Sequence, residues 1–132
     1  MTDTQRWIDQ TLFHDPANGI KGNCAQAAVA SLLGLQLDEV PNFAAADDAY
    51  EFWTSMQMFF EGHGYWMRYE HGDGRPNVLY LACGKSARGC SHMVVMKGFE
   101  LIHDPHPSRA GILSVEHVIL LTPVDPAALK KK

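Results

Sequence analysis

The sequence predicts an α+β fold, with N-terminal helices packed on an antiparallel β-sheet. Three observations predict it. Apolar residues recur at helical spacing in the first half of the chain. They alternate at strand spacing in the second half. Turn-forming Gly, Pro, Asn and Asp separate the segments. With 132 residues, 46% apolar and 20% charged, the chain is expected to form one domain over 1–132 with an ordinary core. It contains no internal repeat, domain linker or low-complexity segment.

The elements follow in order. TLFHDPANGIKGN (11–23) is dense in turn formers and is predicted to be loop. Asn23 is a candidate N-cap, its side-chain oxygen accepting from first-turn amides. Residues 24–33 form a helix: Ala25, Ala28, Val29 and Leu32 share a face, and Gly34 stops it. Its inner face is rich in alanine, so another element can approach closely. LDEVPNF (37–43) is a short helical turn ended near Pro41. A second helix spans 45–61, with Ala49, Phe52, Trp53, Met56, Phe59 and Phe60 on its apolar face. Asp47 and Asp48 suit its positive end. Strands are predicted at 65–70, 77–83, 90–97, 99–104 and 117–122, the earlier ones joined as a meander by the turns HGDGRP and GKSARG. PHPSRAG (105–111) is a loop.

Several function classes are set aside. The formal net charge is −4 and no basic stripe is present, which argues against nucleic-acid binding. The terminal LKKK is expected to be a solvated end. No run of about 18 apolar residues marks a transmembrane helix. MTDTQRWIDQ lacks the apolar stretch of a secretory signal, so a cytoplasmic location is expected. The three cysteines, Cys24, Cys83 and Cys90, are odd in number and without framework spacing, as for reduced thiols. The sequence sets no oligomeric state.

Three residues stand out for chemistry. Cys24 opens the first helix, where free amides and the helix dipole favour a thiolate, the reactive form. His92 lies in SHMVV, on the same strand face as Val94 and Met96. Asp104 ends the next strand, in IHDP. Each alone has an ordinary structural explanation: a small buried thiol, a hydrogen-bonded core histidine, a turn aspartate before Pro105. A tight hairpin centred on Gly98, however, would set Asp104 opposite His92. Together the three make a nucleophile, a base and an orienting acid. The Cys24 amide can donate one hydrogen bond to a developing oxyanion, and Gln10 or Asn18 can donate a second.

GNCAQAAVASLLGL, followed downstream by SHMVVMKG and LIHDP, resembles the papain-like cysteine peptidase superfamily. It is similar to the compact bacterial branch that includes the bacteriocin-leader peptidase domains of ABC exporters. The likeness covers roughly residues 10–107. It implies a papain-like fold, Cys24 as nucleophile, His92 as base and Asp104 as orienter. It further implies a thiol hydrolase that cleaves a peptide or isopeptide bond in a peptide or protein substrate, with no cofactor. That family usually carries its oxyanion glutamine six residues before the cysteine, where this chain has Asn18. Gln10 is the favoured donor, and it fits if residues 11–23 loop back on themselves.

Other readings remain open. Cys83, Cys90, His92, His103, Asp104 and His106 are zinc-type ligands, but no C-x-x-C pair occurs and Pro105 interrupts the histidine spacing, so no metal is expected. A catalytically inactive binding module is a second alternative. A deamidase or acyltransferase on the same triad is a third, because all share one acyl-enzyme. Phe52, Trp53, Phe59, Tyr65 and Trp66 either line a cleft or pack the core. The chain carries little beyond a minimal fold, which suits action on one partner.

Overall fold

A computed structural model describes residues 7–72 and 76–124; the LKKK end and part of the HGDGRP turn lie outside them. Two helices, α1 (Cys24–Leu33) and α2 (Ala49–Gly62), precede five strands: β1 (Tyr65–His71), β2 (Leu79–Lys85), β3 (Ser91–Lys97), β4 (Glu100–His103) and β5 (His117–Pro123). The strands form one antiparallel sheet in the order β1-β5-β2-β3-β4.

That order corrects the predicted meander. The last strand inserts between β1 and β2. The reason lies in composition. HVILL buries apolar side chains on both faces and suits an interior strand, whereas β1 keeps most of its residues exposed and suits an edge.

Helix α1 starts and stops where its sequence predicts. Gly34 adopts φ 71° and its amide closes the helix onto Ala30 and Ser31. Ala25, Ala28 and Val29 are buried against the sheet, and their small side chains allow the close approach. Helix α2 begins at Ala49, later than predicted. Residues Phe43–Ala45 form a separate 3₁₀ turn, and Asp48 caps the helix by accepting from the Glu51 amide at 2.8 Å. Met56 and Phe60 are fully buried, whereas Ala49 is exposed and does not belong to the packed face.

The sheet is covered on both sides. Leu81, Met93, Val95 and Ile119 meet the helices. Tyr80, Ala82, Val94, Met96 and Val118 form a second core on the reverse face. There the cover is Ile112 and Val115, from the stretch that leads from the Pro/Gly loop into β5. Gly84 permits this cover: a Cβ at Gly84 would stand 2.0 Å from the Ser114 carbonyl oxygen, a backbone atom. Leu113 and Glu116 donate to Lys85 and Cys83 carbonyls on either side of that contact, so Ser114 has no room to retreat. Gly84→Ala should therefore lower stability by about 2–3 kcal/mol, as overpacking against fixed atoms does. Urea unfolding checks this, and an unchanged midpoint would contradict it.

Among the described residues, no helix is long and apolar enough to cross a membrane.

Candidate active site

Cys24 sits on the first turn of α1, half-buried, with its amide among the unpaired donors that open the helix. Asn23 does not cap the helix as predicted. Its Oδ1 instead accepts from the Thr11 and Leu12 amides at 2.9 and 2.8 Å, and its Nδ2 donates to Thr11 and Gln26. Asn23 is thus a clamp on the incoming loop. That loop folds back on itself: Asp15 and Ile20 form an isolated bridge, and the Asn23 amide donates to the Leu12 carbonyl.

The fold-back separates the two oxyanion candidates. Gln10 is brought to the wall of the cavity that holds Cys24 and is nearly buried. Its Nε2 donates to the Leu12 carbonyl at 2.9 Å, which leaves its second N–H. Gly22 makes room for it, since a Cβ there would lie 3.4 Å from that Nε2 and 3.2 Å from the His14 amide nitrogen. Asn18 is not brought to the site. It lies exposed in a 3₁₀ turn and donates to the Asp15 carboxylate.

His92 opens β3 and is buried. Its Nε2 lies 2.5 Å from Asp104 Oδ1, and the Cys24 thiol is close enough to the imidazole to raise its pKa. With Nε2 on the carboxylate, Nδ1 is the nitrogen left for sulfur. The register does not place Asp104 opposite His92 as predicted. A bulge between Val95 and Met96 shifts the pairing, so that Val95 faces His103. Asp104 lies one step beyond that pair and reaches His92 diagonally from the loop.

The loop itself fixes the carboxylate. Asp104 Oδ1 also accepts from the His106 amide at 2.9 Å, and Oδ2 accepts from the Gly111 amide at 2.7 Å. Burial resists the charge on Asp104, but these donors and His92 outweigh it and hold the carboxyl down at about 2. Burial likewise resists a charged His92, while Asp104 and Cys24 push it up to about 9. The pair is therefore an imidazolium facing a carboxylate at neutral pH.

Several supporting residues have no sequence signal, because their partners are far away in the chain. Arg109 makes a two-pronged contact with Asp9 at 2.5 and 2.9 Å and donates to the Asp104 carbonyl at 2.6 Å. The Gln10 amide donates to the Pro105 carbonyl, and the Ile8 amide to Ser31 Oγ. His103 Nε2 contacts the Ile8 carbonyl at 2.8 Å. Residues 8–10 thus tie α1 to the Asp104 loop.

The cavity has a volume of about 560 Å³. Phe52 and Trp53 line it, so part of the predicted aromatic set faces the cleft. Phe59 packs against Phe43 and Tyr65 against the core, while Trp66 lies on the surface. His117 also reaches the wall, stacked on Tyr69 at 4.4 Å, and burial followed by His71 lowers its pKa.

The zinc-type residues do not converge on one centre, although Cys83, Cys90, His92 and His106 all border the cavity. Cys83 is buried on the helix side of the sheet, where burial, then Cys24 and Glu116, drive its thiol pKa upward. Cys90 Sγ contacts Ser86 Oγ at 3.4 Å, and His103 turns to Ile8. Among the described residues no group of three or more His, Cys, Asp or Glu is arranged to hold a metal ion. All three cysteines are free thiols.

No protein-family model, curated protein or solved structure matches the chain.

Proposed function

We propose that the chain is a thiol-dependent hydrolase of papain-like architecture that cleaves an amide bond in a peptide or protein. One observation carries the reading: Cys24 and His92 meet at one cavity, and the far nitrogen of His92 is bound by the buried Asp104. A core histidine needs only a hydrogen-bond partner. This one lies between a carboxylate fixed by two amides and a thiol on a helix N-terminus.

The chemistry follows from the positions. The Cys24 thiolate attacks the substrate carbonyl, and a sulfur–carbon bond forms. The oxyanion takes the Cys24 amide and the second N–H of Gln10. The carbon–nitrogen bond breaks as His92 Nδ1 gives its proton to the leaving amine. Water then attacks the thioester while His92 takes up a proton, releasing a carboxylic acid and restoring the ion pair. Asp104 holds the ring in the tautomer that both steps need.

The test is alkylation of Cys24 by iodoacetamide at about pH 6, followed by mass spectrometry of the Cys24 peptide. Reaction at least about tenfold faster than free glutathione is expected, because an ordinary thiol is mostly protonated there. A rate equal to that of glutathione would remove the basis for the proposal.

A further inference from the structure

The walls of the Cys24 cavity carry a charge opposite to that of the chain. Acidic residues outnumber Lys and Arg by 15 to 11 overall. Yet no Asp or Glu lines the cavity among the described residues, while Lys21 and Arg88 both do. Other arginines are committed: Arg68 to Glu70 and Arg109 to Asp9. Lys21 and Arg88 instead donate to neutral oxygens, the Ala46 carbonyl at 3.1 Å and Ser108 Oγ at 3.3 Å. Lys21 also borders a neighbouring shallow groove that contains Asp47 and Asp48. Arg88 does not line that groove, so among the described residues it is the less compensated of the two cations.

The position of Arg88 relative to the chemistry is informative. Ser108 Oγ contacts both Arg88 Nη1 and His106 Nδ1, and the His106 ring centroid is 6.3 Å from that of His92. Arg88 therefore stands toward the His92 end of the cavity. A general acid must lie within hydrogen-bond reach of the nitrogen it protonates. Whatever Arg88 holds thus belongs to the departing amine. Phe52 and Trp53 supply an apolar wall elsewhere in the same cavity, suited to the acyl portion.

Resting on the hydrolase reading, we infer that the cavity accepts amides whose leaving amine bears a carboxylate, with Arg88 as its anchor. The carboxylate comes either from the free C-terminus of the departing residue or from an Asp or Glu side chain there. The covalent steps are those above: the amine leaves with the His92 proton, its carboxylate unchanged, and water completes the turnover.

Anionic iodoacetate and neutral iodoacetamide probe this directly. The ratio of their rates at Cys24 should exceed the ratio measured on glutathione and fall with added salt. Arg88→Gln should lower it about five-fold, as loss of one exposed cation near the path does, and Arg88→Lys should restore it. Arg88 is exposed on a turn, so neither variant disturbs the core. Peptide pools with free or amidated C-termini then identify the source. Cleavage of the last bond in free acids only assigns the terminal carboxylate. Cleavage before Asp or Glu in both pools assigns the side chain. Cleavage indifferent to both, or a ratio that Arg88→Gln leaves alone, overturns the inference. Slow reaction of the unaltered protein with iodoacetamide would instead remove the hydrolase reading beneath it.

Discussion

His92→Ala should slow alkylation of Cys24 at about pH 6 by about two orders of magnitude. A thiol without an imidazolium partner ionises near pH 8.5 and is under about 1% thiolate at that pH. In the unaltered protein burial works against a charged His92, but the hydrogen bond to Asp104 and the nearby Cys24 keep it protonated up to about 9. A protonated imidazole beside the sulfur favours the thiolate, so the unaltered protein should lose less of its alkylation rate between about pH 8 and 6 than the variant. The variant should instead climb about tenfold per pH unit until an ordinary thiol is ionised. Amide cleavage should fall by about 10³-fold or more in the variant, since both the ion pair and the proton donor are lost. Matching profiles for the two proteins would take His92 out of the mechanism.

Asp104→Ala should lower stability by about 3–5 kcal/mol, the usual consequence of removing one partner of a buried charge pair. Three donors lose their acceptor at once: the His92 ring and the amides of His106 and Gly111. The pH dependence has a definite sign. The Asp104 carboxyl is lowered from 3.8 to about 2, so its contribution is complete above 3.8 and disappears as pH falls through about 2. The His92 imidazole is raised from 6.5 to about 9, so its contribution is complete below 6.5 and is lost as pH rises through about 9. The pair therefore stabilises most between about pH 4 and 6.5. Urea unfolding across that range should show a plateau, with both flanks flattened in Asp104→Ala. Parallel curves for the two proteins would mean that the pair contributes little to folding.

The chain shows its local structure more openly than its closure. The Ala25, Ala28, Val29 spacing and Gly34 mark α1 because both signals act within one helix. Short apolar runs bounded by turn formers mark β2 and β3 for the same reason. The place of β5 depends on competition among strands, which turn signals between neighbours do not record. The contact between His92 and Asp104 can be anticipated from a hairpin, yet the bulge at Val95 and Met96 makes it by another route. Asn23 has the composition of a cap, but two loop amides compete for its oxygen and take it. The roles of Asp9 and Arg109 depend on partners 100 residues apart. Cover of the reverse face by Ile112 and Val115 was hidden in a stretch whose Pro and Gly advertise only a loop.

The interior position of β5 bears on the order in which the molecule can be built. Helix α1 and its thiol emerge early during synthesis, but β1 has no neighbour in the sheet until residues 117–123 follow. Until then the sheet is divided, with β2 lacking one of its two partners. Contacts of such long sequence separation form slowly and late. The partners of Cys24 are thus held together only when nearly all the described chain has been made. On the hydrolase proposal, the Cys24 thiol therefore gains its partners only late in folding.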